Sequence, residues 1–169
     1  MVSSLVGAVL AWLHIFSAIG WMGSAMFLAM VLGPSTRELP PPSRRDLVLR
    51  LFPRFIRFVS IFATLTLLFG VLLGLALVSD GSDTISPSTA WGLRIMIGGI
   101  VALIAYGLAM AFGLRSARKI LGIVRKAQPD QQAQAPELAK LTTRLRLTAV
   151  TVTLLLSLSL ILMVAAARL

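Results

Sequence analysis

A chain of 169 residues has the length of one domain, but 57% of it is hydrophobic against 13% charged, with a mean hydropathy of +0.92. That is too apolar for a water-soluble fold of this size. Sixteen basic and six acidic residues leave a net charge of +10, yet the basic residues sit between long apolar runs and do not form a nucleic-acid-binding surface; they report membrane topology. The absence of cysteine excludes disulfides, thiol redox chemistry, iron–sulfur clusters and cysteine-ligated zinc, and a single histidine excludes an intrachain multi-histidine metal site.

Aside from His14, no ionisable side chain other than the lone Tyr106 interrupts the runs Met1 to Thr36, Phe58 to Ser79, Ile95 to Leu114 and Leu147 to Ala167. Each reaches the roughly 20 apolar residues that a helix needs to cross hydrocarbon. They predict transmembrane helices near 5–32, 55–79, 90–114 and 143–167, an all-α, integral membrane, antiparallel four-helix bundle filling residues 1–169 as one domain. The first run lacks a basic leader and a small-residue cleavage site and is too long for a signal-peptide core, so it reads as a mature helix.

The connections are marked by composition. Gly33 to Arg54 carries Pro34, prolines at 40, 41 and 42, and Pro53, which rules out one continuous helix and leaves Arg45 to Phe52 for a short interfacial helix. Asp80 to Thr89 is short, polar and acidic, with Gly81 and Pro87 as breakers. The third connection, 115–140, reads as a flexible loop: a basic helical extension of the third span that dissolves into Gln/Ala/Pro-rich sequence around Pro129 to Pro136.

Arg37, Arg44, Arg45, Arg50, Arg54 and Arg57 flank the first connection, and Arg115, Arg118, Lys119, Arg125, Lys126, Lys140, Arg144 and Arg146 flank the third. Fourteen of the sixteen basic residues therefore share one side, which the positive-inside rule assigns to the cytoplasm. The expected location is a cell membrane, crossed several times, with both termini outside and only Arg94 and Arg168 toward the outer face. No connection is long enough for a separate soluble domain, so function belongs to the bundle.

His14 is the first candidate, because an imidazole about nine residues into an apolar helix, roughly 14 Å along it, is costly without a partner. Positions 7, 11, 14, 18, 21 and 25 share a helical face and read Gly, Ala, His, Ala, Trp, Ala. This face suits close helix packing, and it equally leaves room for a flat ligand. Two readings stay open: a histidine bonded to a neighbouring helix, or a metal or cofactor ligand. Arg94 lies three residues after the interfacial Trp91, where its guanidinium either snorkels to the headgroups or pairs with a ligand carboxylate. Gly98 and Gly99, one turn further in, admit something bulky against that helix. Met96 and Met163 are soft-ligand candidates at the level of His14, while Met22, Met26 and Met30 read as packing. Gly70 and Gly74 form a G-x-x-x-G, which predicts close packing and nothing chemical. With no paired intramembrane carboxylates, a carboxylate proton relay has no support.

The pattern His14-x6-Trp21-x-Gly23 in the first helix resembles the membrane-bound HemJ-type protoporphyrinogen oxidases and the related CopD-like copper-resistance proteins. Pro53-Arg54-Phe55-Ile56-Arg57 leading into a glycine-bearing second helix is similar to that family, as is Trp91-x-x-Arg94 opening the third, where the oxidases usually carry lysine. The resemblance implies that His14 is an axial ligand of heme iron, that Trp21, Gly23, Arg94 and Gly98 belong to the cofactor site, and that Arg94 occupies the family's basic position. The chain departs from the oxidases at Arg94 and in lacking the Asn-Glu-Val-Pro type sequence before the last helix, where Arg144-Leu-Arg-Leu-Thr148 stands. Heme or porphyrin binding survives those departures better than the oxidase activity does.

The leading expectation is a b-type heme protein of the lipid bilayer with a redox or porphyrin-handling role, in its enzymatic form a protoporphyrinogen IX oxidase-like oxidoreductase. With one histidine per chain, the iron is five-coordinate, takes Met96 or Met163, or takes His14 of a second copy in a homodimer. Electrons would pass to a membrane electron acceptor. The alternatives are CopD-like copper transfer or transport, and a cofactor-free structural subunit in which His14 bonds a backbone carbonyl.

Overall fold

The computed structural model describes residues 4–79, 87–126 and 135–167. Along the chain run α1 (Ser4–Phe27), a π-helical turn (Leu28–Leu32), α2 (Gly33–Glu38), α3 (Pro41–Ser79), α4 (Ala90–Leu108), a second π turn (Ala109–Leu114), α5 (Arg115–Lys126) and α6 (Ala135–Ala167), with no strand among the described residues. Because the π turns join their neighbours without a break, the chain forms four rods, Leu5–Glu38, Pro41–Ser79, Ala90–Lys126 and Ala135–Ala166, each long and apolar enough to cross a membrane. The expected all-α four-helix bundle is the fold.

Contacts between rods fix their direction. On α1 and α3, Gly20 meets Phe62 while His14 meets Gly70; on α4 and α6, Gly98 meets Met163 while Arg94 reaches Ala165. Rising numbers on one rod meet falling numbers on the other, so both pairs are antiparallel. α1 packs chiefly on α3 and α4 chiefly on α6, with α6 also against α1. The first and third rods are diagonal, and Trp21 of α1 bridges that diagonal edge-on to Tyr106 of α4, ring centroids 6.2 Å apart.

What holds the rods together is typical of a bilayer solvent. The middle of the bundle is built from small residues, with Ala63 and Ala105 fully buried and Ser17, Thr66 and Ser159 nearly so, which lets backbones approach closely. The hydroxyls of Ser17 and Thr66 donate to the carbonyls of Leu13 and Phe62 one turn back, so burying them orphans no donor. The outer faces are apolar all round: Ile19, Val71, Leu103 and Ile161 are each more than half exposed, an arrangement that only lipid satisfies. The chain is a multi-pass membrane protein.

The helices run well past the spans expected from the uncharged stretches. α3 alone, with 39 residues, is about 58 Å long, against a hydrocarbon thickness of about 30 Å. The extra length lies at the basic end, where Val48 and Phe52 of α3, Ala117, Ile120 and Leu121 of α5, and Leu141 and Leu145 of α6 form a second apolar cluster. Three expectations are corrected there. The stretch Arg45 to Phe52 is no separate interfacial helix; it is the first part of α3, which continues through Pro53. The third connection opens with the expected helical extension of the third span, Arg115–Lys126, but the stretch expected to dissolve around Pro129 to Pro136 already enters the last helix at Ala135, and residues 127–134 lie outside the described ones. Pro34 does not end its helix, because the preceding π turn routes the Gly33 N–H to the carbonyl of Leu28 and so relieves the backbone next to a residue that cannot donate. The real break is Leu39, extended at φ −74°, ψ 140° before Pro40. Arg44 seals it by donating to the carbonyls of Thr36, Arg37 and Leu39 at 3.0, 2.9 and 3.1 Å.

Candidate functional site

His14 lies on the α1/α3 seam, partly buried, with Nδ1 2.9 Å from the carbonyl oxygen of Thr66. A carbonyl only accepts, so Nδ1 carries the proton and donates it. That carbonyl belongs to a helix whose residue four positions on is Gly70. A β-carbon built at Gly70 would lie 2.9 Å from the ring's Cε1 and 3.0 Å from Nδ1, so the missing side chain is what admits the imidazole to the backbone. The G-x-x-x-G reading, packing and nothing chemical, therefore understated Gly70.

With Nδ1–H committed, Nε2 is the ring nitrogen left for a ligand; it has no hydrogen-bond partner among the described residues and is not sealed from the surface. A histidine whose far nitrogen binds metal usually has its near nitrogen held by a carbonyl or carboxylate, which fixes the tautomer and raises ligand basicity. The donor chemistry at His14 thus fits a metal centre that needs one imidazole.

The other expected site residues do not gather round it. Trp21 is 1% exposed and packs among Ala25, Ala63, Ala105, Ala109, Val152 and Leu156. Its indole N–H is the one buried side-chain polar atom without a partner among the described residues. Gly23, two positions on, faces outward with nothing near its missing β-carbon; positions two apart on a helix diverge by roughly 200°. Arg94 donates through Nη1 to the carbonyl of Ala165 at 3.2 Å, closing one of the carbonyls that the end of α6 leaves without an intrahelical donor.

Gly98 is buried against α6: Met163 Cγ would lie 3.3 Å from a β-carbon there, and Ser159 donates to the Gly98 carbonyl at 2.9 Å. The space that Gly98 was expected to leave for a bulky ligand is filled by Met163, and it is Gly99 that has open surroundings. Met163 is thereby part of the α4/α6 seam, and Met96 is exposed on the outer face. Among the described residues no group of three His, Cys, Asp or Glu side chains is placed to hold a metal ion.

A half-open cavity of about 50 Å3 lies deeper toward the basic end, bounded by Trp21, Leu28, Phe55, Ala109, Gly113 and Val152 among others. Both π turns border it, Leu28 opening the first and Ala109 the second. It has room for molecules of water's size and none for a macrocycle. Trp21 and Tyr106 cross the diagonal between the first and third rods roughly 10 Å of helix rise inward of His14.

The bond from His14 to a backbone carbonyl of a neighbouring helix, one of the readings left open by the sequence, is present; that the carbonyl is that of Thr66 was not legible there. Comparison of the chain with protein-family models, with curated proteins and with solved structures finds no match.

Proposed function

We propose that this multi-pass membrane protein binds heme b through Nε2 of His14 and has a redox or porphyrin-handling role. The observation that carries this reading is the Nδ1–H bond to the Thr66 carbonyl over Gly70, which holds one imidazole in the tautomer a metal requires. Ligand number favours heme over copper. A heme brings four nitrogens of its own and is held by one histidine in many proteins, whereas copper transfer needs further soft ligands from the chain, and Met163 is engaged at Gly98. Bound at His14, the iron supplies one-electron exchange with a membrane electron acceptor. The chain itself orients the imidazole through the Thr66 carbonyl, which would raise its basicity toward a metal. If the iron takes a second ligand from protein, His14 of a partner copy in a homodimer would be the residue to supply it.

The same proposal places the basic end in the cytoplasm and both termini outside. Its test is the visible spectrum and metal content of protein purified from membranes. A Soret band and a dithionite-shifted α band are expected. A colourless protein with stoichiometric copper would overturn heme in favour of a CopD-like function, and one with neither would leave His14 a packing residue.

A further inference from the structure

At the basic end, one face of α6 carries Lys140, Thr143, Arg144, Leu147, Thr148 and Thr151, and with Leu108 of the third rod and Ala139 it lines an open groove of about 610 Å3. That volume is within the range of small-molecule sites. The lining changes character along the groove. Along α6 the lining runs from Lys140, Thr143 and Arg144 to Leu147, Thr148 and Thr151 within the uncharged span beginning at Leu147, where Leu108 completes it. Among the described residues no carboxylate lines it. Arg144 is held in place, its guanidinium carbon 4.8 Å from the centre of the Phe112 ring, and its own carbonyl accepts from the Thr148 hydroxyl at 2.8 Å.

We propose that this groove is a binding site for one anionic phospholipid of the adjoining leaflet, its phosphate between Lys140 and Arg144 and an acyl chain along Leu147 and Leu108. The charge and the apolar slot are complementary to the two ends of a single lipid molecule, in the order in which a bilayer presents them. Basic residues between helices at the level of the headgroups recognise anionic lipids in this way, whereas a soluble anion would have no use for the apolar half. The site is independent of His14, which lies on another seam.

The test is native mass spectrometry of the full chain released from membranes in a mild detergent, titrated with phosphatidylglycerol and with phosphatidylcholine of the same acyl chains. The wild type is expected to retain one phosphatidylglycerol per chain in preference to phosphatidylcholine. The double variant Lys140→Gln, Arg144→Gln should lose that preference by about tenfold, while Arg118→Gln, Lys119→Gln, which removes the same charge from the exposed face of α5, should keep it. All these side chains are exposed, so neither variant threatens the core. Equal loss in the two double variants would overturn the proposal by showing a diffuse basic surface, as would no loss in the first. Displacement of phosphatidylglycerol by millimolar inorganic phosphate would also overturn it, because the site would then take a free anion.

Discussion

A β-carbon at position 70 would approach His14 to 2.9 Å, while one at position 23 would meet nothing within 4 Å. Gly70→Ala is therefore expected to push the imidazole off the Thr66 carbonyl and weaken heme retention about 10- to 100-fold, the usual consequence of losing the partner behind a metal-binding histidine. Gly23→Ala should leave retention unchanged; equal heme-loss rates for the two variants, measured by transfer to an excess apo-acceptor, would remove Thr66 and Gly70 from the site. At Trp21 the ring is buried and its N–H unpartnered. Trp21→Phe keeps most of the packing and deletes the orphan donor, so it should change stability by only about 1 kcal/mol, against about 3–5 kcal/mol for Trp21→Ala. Thermal unfolding in detergent measures both, and a phenylalanine variant as damaged as the alanine one would mean that the indole N–H has a partner. His14 stood out in the sequence because an ionisable group inside an apolar run is conspicuous. Its partner did not, because a backbone carbonyl has no residue identity, and the same holds for the Ala165 carbonyl that engages Arg94.

The four spans were legible because hydrocarbon permits almost no charge, and that constraint acts on composition directly. Where water takes over at the basic end, the signal fades. Pro53 and Pro34 punctuate the sequence as breakers, yet the helices continue: α3 buries Val48 and Phe52 against α5 and α6 before Pro53 is reached, and a π turn absorbs Pro34. Tertiary burial overrides the local penalty of a proline, and no local pattern announces it. The true break at Leu39 depends on Arg44, which looked like one topology charge among many. Arg44→Gln is expected to cost about 1 kcal/mol locally, since three carbonyls at the end of α2 lose a shared charged donor at an exposed site. Limited proteolysis should then cut between residues 36 and 43 faster than in wild type, and Arg45→Gln, one position on, should not show this. Equal cutting in both would mean that the break is held by Pro40 alone.

At the scale of the molecule, the bundle is two antiparallel pairs with a small-residue core, a lipid-facing exterior and a helical cap that carries the basic residues. The chain contains no cysteine, so single introduced cysteines report topology cleanly. In sealed right-side-out vesicles, Pro87→Cys should react with an impermeant maleimide, and Ser43→Cys only in inverted vesicles; the reverse pattern would place the basic end outside, against the distribution of its charges. Assembly into this fold does not require the imidazole, since the seams are made mainly by small residues and by hydroxyl and carbonyl groups distributed along the rods. The proposed cofactor binding, by contrast, rests on one side chain. The most direct test of the account is accordingly the heme content per chain of His14→Ala beside wild type, read from the reduced-minus-oxidised pyridine spectrum of protein that elutes as the same folded species. Loss of most of the heme with an unchanged helical circular-dichroism signal is the predicted result, and a folded His14→Ala protein with wild-type heme content and Soret position would contradict it.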